Sequence, residues 1–121
     1  MDRRAFERVP ASFRARFLAG NRPDSAIVTN FSENGMCIGS GYCLPCDDTL
    51  ELLIPLHVEV LRVLVKIRRM EKVDDFNYTL GVELVDPPKE YLEFVMNHRS
   101  FFKSLKGFQF NNRYRLFNYD L

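Results

Sequence analysis

The chain has 121 residues, 46% of them hydrophobic, and a formal net charge of +1, which suits one globular domain with its own core. Balanced charge and 13% aromatic residues exclude intrinsic disorder, and the lack of any apolar run of about 18 residues excludes a membrane span. Three cysteines are a poor disulfide framework and no apolar stretch follows residues 1–4, so we expect no secretory signal and a reducing, cytoplasmic location.

The pattern of apolar and polar residues predicts six short strands separated by glycine, proline and aspartate turns. The first strand, at residues 12–18, alternates with the period of two that marks a half-buried strand. A turn cluster at residues 20–24 follows it. The other strands are expected at residues 26–29, 36–38, 50–56, 58–70 and 78–85. So many short strands in one small domain predict a mainly β fold, an antiparallel barrel whose closure removes exposed edges.

A helix is predicted after the last strand. From Lys89, apolar residues recur at helical spacing, and Pro88 and Gly107 fit its start and its end. The residues expected to face the barrel are Leu92, Val95, Met96, Phe102 and Leu105. The predicted organisation is a flexible arm at residues 1–10, a barrel with its helix at residues 11–106, and a tail at residues 107–121. That tail is rich in aromatic residues, so we expect it to pack on the barrel or to contact a partner.

Charge is spread unevenly along the chain. Residues 1–22 carry six arginines against Asp2 and Glu7, whereas residues 23–98 carry thirteen acidic against six basic groups. Residues 99–121 are basic again, with five basic groups against Asp120. Basic ends around an acidic middle suit an anionic ligand or partner that the termini meet, although solvated basic tails give the same pattern.

Two short motifs hold the candidate binding residues. Arg3, Arg4 and Arg8 cluster just before the first strand, and the planar fork of arginine pairs with phosphate or with the edge of guanine. The second motif, NFSENG at residues 30–35, follows the second strand. In extended backbone its Asn and Ser point the same way, and its glycine permits a sharp turn. Taken singly, each motif also fits a plainer explanation, an arginine-rich terminus or a hairpin turn.

Taken together, in this order and at this spacing, the motifs resemble the two hallmarks of the PilZ domain family. These are RxxxR before the first strand, here RAFER at residues 4–8, and (D/N)xSxxG after the second, here NFSENG. The Val9-Pro10 step and the late strand YTLGVEL are also similar to the family. The resemblance covers roughly residues 3–106 and implies a six-stranded split barrel with a C-terminal helix.

The resemblance also implies that the chain binds cyclic di-GMP, a dianion with two flat purines. In the family the RxxxR arginines bind phosphate and guanine, which assigns these roles to Arg4 and Arg8. Arg3, directly before that motif, implies binding of the ligand as an intercalated dimer. The residues of the second motif hold the other guanine and the ligand backbone, and the roles fall on Asn30, Ser32 and Gly35.

The expected mechanism is a disorder-to-order change. The arm is loose without ligand and folds over the bound nucleotide, which changes the surface seen by an effector protein that the sequence does not identify. The chain then acts as a receptor without a cofactor. Pathway, ligand stoichiometry, oligomeric state, the role of the tail and membership in a longer chain are left open.

A metal or redox site is the first alternative. Cys43 and Cys46 form a CxxC, with Cys37, His57 and His98 as possible further ligands. Zinc sites usually use two such pairs, and a redox CxxC usually opens a helix, whereas a polar corner and a strand follow here. We therefore predict no metal site. The two histidines lack an evident acid or nucleophile partner, and His98 is expected to face solvent.

Two further alternatives involve binding without cyclic di-GMP. A small barrel with an aromatic and basic tail could bind an oligonucleotide, but the acidic barrel body disfavours a nucleic-acid polymer. A PilZ fold that serves only as a protein-interaction module is the other alternative, and such members usually lack the arginines. An enzyme is the least favoured reading, because no paired carboxylates, no nucleophile with a base and no phosphate-cradling glycine loop are evident.

Overall fold

A computed structural model describes residues 7–19 and 22–109 of the chain. Within these residues it contains six strands and one helix. They are β1 (Val9–Ala19), β2 (Arg22–Phe31), β3 (Gly35–Ser40), β4 (Thr49–Pro55), β5 (Val60–Asp74), β6 (Asn77–Val85) and α1 (Lys89–Gln109). The terminal residues 1–6 and 110–121, which include Arg3, Arg4 and most of the aromatic tail, lie outside the described part.

The strands form a closed antiparallel barrel in the order β1-β2-β3-β6-β5-β4. The barrel closes where β1 pairs with β4, with Arg16 opposite Leu53 and Phe17 opposite Leu52. This pairing shortens the edges of β1 and β4 along which another chain could add a strand. The predicted fold class is confirmed, a mainly β, six-stranded antiparallel barrel with a C-terminal helix.

Alternation along the strands builds the core. In β5 the side chains of Val63, Val65 and Ile67 are buried, whereas Arg62 and Leu64 at alternate positions are exposed, as the period of two requires. One end of the barrel is covered by α1, whose Phe94 ring lies 5.9 Å from the ring of Phe13 and 5.4 Å from that of Phe31. Helix α1 is thereby packed against the end of β2.

Several element boundaries differ from the sequence prediction. Strand β1 begins at Val9, so it includes two residues that we had assigned to the arm, and β2 includes Arg22 to Asp24 of the predicted turn cluster. Pairing explains the difference, because Val9 lies opposite Phe31. Such long-range pairing overrides local turn preferences. Helix α1 likewise continues through Gly107 to Gln109, beyond its predicted end.

The buried face of α1 also differs from the predicted one. Tyr91, Phe94 and Val95 are buried, and Leu92 and Phe102 pack partly against the core. Met96 was wrongly expected to face the barrel, since its side chain is 60% exposed. The side chain of Leu105 lies outside the described part. The apolar spacing therefore predicted a helix correctly, but the docking angle on the barrel selected a stripe led by aromatic residues.

Candidate functional site

The base of the arm lies beside the end of β2. Arg8 directly precedes β1, and the pairing of Pro10 with Asn30 brings this point alongside the start of the second motif. The Nη1 of Arg8 donates a hydrogen bond of 2.6 Å to the Oδ1 of Asn30. The structure thus joins one predicted residue from each motif, 22 positions apart.

The loop after β2 is shaped by its own hydrogen bonds. The backbone N–H of Ser32 donates to the carbonyl of Gly35 at 2.8 Å, and the Ser32 hydroxyl donates to the Oδ1 of Asn34 at 2.9 Å. Ser32 is fully buried. Because β2 ends at Phe31, the alternation that would point Asn30 and Ser32 the same way stops one residue too early. Asn30 contacts Arg8, whereas the Ser32 hydroxyl is turned into the loop.

A surface groove of about 490 Å³ lies next to this loop. Two glycines on adjacent strands leave its floor open, and an arginine lies over each of them. A Cβ added to Gly35 would lie 3.0 Å from the Nη2 of Arg8, and one added to Gly81 would lie 3.1 Å from the Nε of Arg69. The residues that line the groove are Arg8, Asn34, Gly35, Arg68, Arg69, Gly81, Val82 and Glu83.

An irregularity in β5 adds two arginines to the groove. The register between β5 and β6 shifts between Ile67 and Arg69, so Arg68 and Arg69 are exposed side by side instead of alternating. Arg68 is held by Glu83 at 2.6 Å and by Asp47 at 3.5 Å. No residue in the described part of the chain pairs with the guanidinium group of Arg69. The groove therefore has an available cation in its wall.

Sequence analysis missed Arg68, Arg69 and the role of Gly81. Two features could have indicated them. A glycine inside a predicted strand is typical of a close approach by another group, and here that group is Arg69. Two consecutive arginines in a strand that otherwise alternates are typical of a bulge. Neither feature says which other residues lie nearby, so the groove itself could not be predicted from them.

Two side chains of helix α1 hydrogen-bond to the loop between β2 and β3. The hydroxyl of Tyr91 donates a buried hydrogen bond of 2.7 Å to the backbone carbonyl of Ser32, and burial raises the pKa of Tyr91. Further along α1, the guanidinium group of Arg99 donates to the carboxylate of Glu33, and this hydrogen bond lowers the pKa of Glu33 below its usual value. The loop between β2 and β3 is thereby fixed at two points.

The two histidines meet at a separate cavity of about 370 Å³, lined by Pro55, Leu56, His57, Phe94 and His98. His98 was wrongly expected to face solvent. Its ring lies 4.3 Å from that of Phe94 and its Nδ1 lies 2.9 Å from the Phe94 carbonyl oxygen. Burial lowers the pKa of His98. The close docking of α1 on the end of β2 explains why this side chain is covered.

The cysteines are free thiols in the described residues. Cys43 and Cys46 are exposed in the loop between β3 and β4, and Cys37 is half-buried on β3. Within residues 7–19 and 22–109, no three histidine, cysteine or acidic side chains are grouped so that they could hold a metal ion. In the same residues, no helix has the length and apolarity needed to span a membrane.

Comparison with known proteins gives one family and a shared fold. The family model described as the PilZ domain matches residues 2–97. No curated protein sequence matches the chain. Among solved structures, the PilZ domain with c-di-GMP of YcgR from Escherichia coli superposes with a TM-score of 0.66 at 11% identity, covering 92% of this chain and 99% of that one.

A second similar structure is the Bacillus subtilis Inhibitor of motility (MotI/DgrA). It superposes with a TM-score of 0.62 at 16% identity over 94% of this chain. The chain spans about half of that protein, since 55% of the Bacillus chain is covered. At these identities the two structures establish the likeness of fold.

Proposed function

The chain belongs to the PilZ domain family, and on that premise we propose that it is a cytoplasmic receptor for cyclic di-GMP that signals to a partner protein. The observation that carries the proposal is the groove beside the second motif. There Arg8 and Arg69 each lie over a glycine, on neighbouring strands of the barrel.

The charge of the groove matches that of the nucleotide. Its described lining contains Arg8, Arg68 and Arg69 against the single carboxylate of Glu83, an excess of two positive charges, and cyclic di-GMP is a dianion. Phosphate and guanine are assigned to Arg8, which belongs to the first motif, and to Arg69, whereas Arg68 is paired with Glu83. Guanidinium forks suit both, because they bind phosphate and the O6/N7 edge of guanine bidentately and stack on flat rings.

The two glycines supply the space that the two guanidinium groups need. A side chain at Gly35 or Gly81 would stand close to where the guanidinium groups now lie, and it would push them out of place. With only hydrogen at these positions, the guanidinium groups lie close to the backbone of β3 and β6, where each can stack on a flat purine. This gives Gly35 the binding role that its motif implies and adds Gly81 to the site.

Asn30 and Ser32 have distinct roles in this proposal. Asn30 holds Arg8 through their 2.6 Å hydrogen bond and keeps its guanidinium group directed over Gly35. Ser32 maintains the loop through its bonds to Asn34 and Gly35. The substitution Ser32→Ala would then weaken binding through the shape of the loop, although the Ser32 hydroxyl is not exposed at the groove.

The arm supplies the signal. Arg3 and Arg4, which lie outside the described residues, keep their proposed roles as further ligand contacts. Binding would order the arm ahead of Glu7 over the nucleotide and so change the surface offered to the partner. Limited proteolysis of the arm with and without cyclic di-GMP tests this step. Equal cleavage rates in both conditions would refute it.

Isothermal titration calorimetry tests the receptor function directly. Cyclic di-GMP is titrated into the purified chain, with GMP and cyclic di-AMP as control ligands. We expect the chain to bind cyclic di-GMP but neither control ligand. Arg8→Ala and Arg69→Ala should each weaken this binding at least tenfold, which is about the effect of losing one hydrogen bond to a charged group.

The variant Arg62→Ala is the matched control. Arg62 is exposed on the same strand as Arg69 but pairs with Glu51 and lies outside the groove, so its loss changes net charge equally. We expect the affinity of Arg62→Ala for cyclic di-GMP to stay within about twofold of that of wild type, because an exposed ion pair contributes little. A folded chain that does not bind cyclic di-GMP would refute the receptor function and favour the protein-interaction module.

A further inference from the structure

We propose that Arg99 is a positioning residue of the cyclic di-GMP site, which directs Arg8 by holding the Glu7 carbonyl and neutralises Glu33 beside the groove. This inference rests on the proposed function and concerns a residue outside both motifs. Arg99 lies on α1, 92 positions from Glu7 and 66 from Glu33.

One guanidinium group bridges three parts of the chain. The Nη2 of Arg99 donates to the Oε1 of Glu33 at 2.7 Å and also to the backbone carbonyl of Glu7, while its Nη1 donates to the Oε2 of Glu33. The arm, the loop after β2 and helix α1 therefore meet at one side chain. Fork-to-fork geometry of this kind is specific to arginine, because the ammonium group of lysine does not present two parallel, coplanar N–H donors to a carboxylate.

The pair is sheltered enough for this contact to persist in salt. The side chains of Arg99 and Glu33 are 19% and 16% exposed. Counter-ions screen such a pair much less than an exposed one. Both groups stay ionised, since their hydrogen bonding lowers the pKa of Glu33 and raises that of Arg99.

The contact with Glu7 controls the next residue. The peptide unit between Glu7 and Arg8 is planar, so the direction of the Glu7 carbonyl fixes the position of the Arg8 N–H and Cα. From that position the side chain of Arg8 reaches Asn30 and lies over Gly35. Without Arg99, Glu7 would lose its link to the helix and Arg8 would leave the groove more often.

The contact with Glu33 controls charge. Glu33 directly precedes Asn34 and Gly35, both of which line the groove. A carboxylate at that place without its cation would repel a dianionic nucleotide. Arg99 thus contributes twice, once through backbone position and once by cancelling a charge that the loop itself carries.

Binding of cyclic di-GMP to four variants separates these contributions. We expect Arg99→Gln to weaken binding about tenfold, the effect of losing one hydrogen bond to a charged group. Glu33→Gln should weaken it less, and the double variant with both changes should bind more tightly than Arg99→Gln alone, because the repelling carboxylate is gone. A purely structural role for Arg99 would produce this recovery in the midpoint of thermal unfolding, whereas the positioning role produces it in the affinity of the folded variants. Arg99→Lys, which keeps the charge without the fork, should lie between wild type and Arg99→Gln.

Lys103→Gln is the control on the same helix. Lys103 is 63% exposed and its ammonium group lies 3.9 Å from the Glu7 carboxylate, so its removal should change affinity by no more than about twofold. Thermal unfolding without ligand verifies that each variant is folded, and Arg99→Lys carries the test if Arg99→Gln does not fold.

The outcomes are distinct. If wild type binds and Arg99→Gln binds equally well, or if the double variant shows no recovery, the role assigned to Arg99 is overturned while the receptor function stands. If Arg99→Gln does not fold, an Arg99→Lys variant that binds as tightly as wild type overturns the role assigned to Arg99 in the same way. If folded wild type does not bind, the receptor function is refuted and the role of Arg99 falls with it.

Discussion

Replacing Tyr91 with phenylalanine tests whether helix α1 supports the loop between β2 and β3. The change removes only the hydroxyl group, which donates a 2.7 Å hydrogen bond to the carbonyl of Ser32 in a fully buried site. Phenylalanine keeps the ring packing against Phe94. The Ser32 carbonyl is then left without this donor, at a cost of about 1–3 kcal/mol for a buried polar group.

Urea and thermal unfolding measure this effect. Taking about 2 kcal/mol as the central value, the midpoint of thermal unfolding should fall by roughly 8 °C in a domain of this size. Calorimetry on the same variant should show weaker cyclic di-GMP binding, because the loop that carries Gly35 is less firmly held.

Tyr78→Phe is the matched control. The Tyr78 ring is half-buried on β6, and its hydroxyl makes no hydrogen bond to the residues that the structure describes. The free energy of unfolding of the Tyr78→Phe variant should stay within about 0.5 kcal/mol of that of wild type, as for surface substitutions in general. A Tyr91→Phe variant as stable as the Tyr78→Phe control would refute the inference that α1 anchors the loop.

Three further predictions follow from the groove and the helix. In Gly81→Ala, the three atoms nearest to the added methyl group all belong to the movable side chain of Arg69, at 3.1 to 3.4 Å. This variant should therefore bind cyclic di-GMP more weakly in calorimetry without a lower unfolding midpoint, and equal affinity would contradict the role given to Gly81. In Gly35→Ala, the added methyl group would lie 3.0 Å from the Val82 backbone carbonyl oxygen as well as 3.0 Å from Arg8. This variant should therefore lower both the affinity for cyclic di-GMP and the unfolding midpoint, and an unchanged midpoint would contradict the close contact. Because burial lowers the pKa of His98, the stability that His98 contributes is complete above its unfolded pKa of about 6.5 and is lost as pH falls towards the folded value. Between pH 7.5 and 5, the midpoint of thermal unfolding should therefore fall more steeply in wild type than in His98→Phe. Equal dependence of the two midpoints on pH would refute this role of His98.

The sequence by itself determined the architecture and identified two of the residues that line the groove. Alternation with a period of two gave six strands, and turn residues separated them, because these signals act over a few neighbouring positions. Arg8 and Gly35 were predicted from their motifs and do lie together at the groove. The ends of the strands were predicted less accurately, because Val9 and Arg22 belong to strands only through the pairing of β1 with β2.

Only the tertiary structure decided what surrounds those motifs. Arg69 and Gly81 join Arg8 and Gly35 because β3 pairs with β6 and a bulge re-aims β5. The two consecutive arginines are a local sign of the bulge, but no local pattern records which strands pair. Arg99 meets the loop for the same reason, as the docking of α1 on the barrel end brings it to Glu33 from 66 positions away. Contacts between distant parts of a chain depend on the packing of whole elements, and that packing is settled by the shape of the core rather than by the residues that meet at the surface.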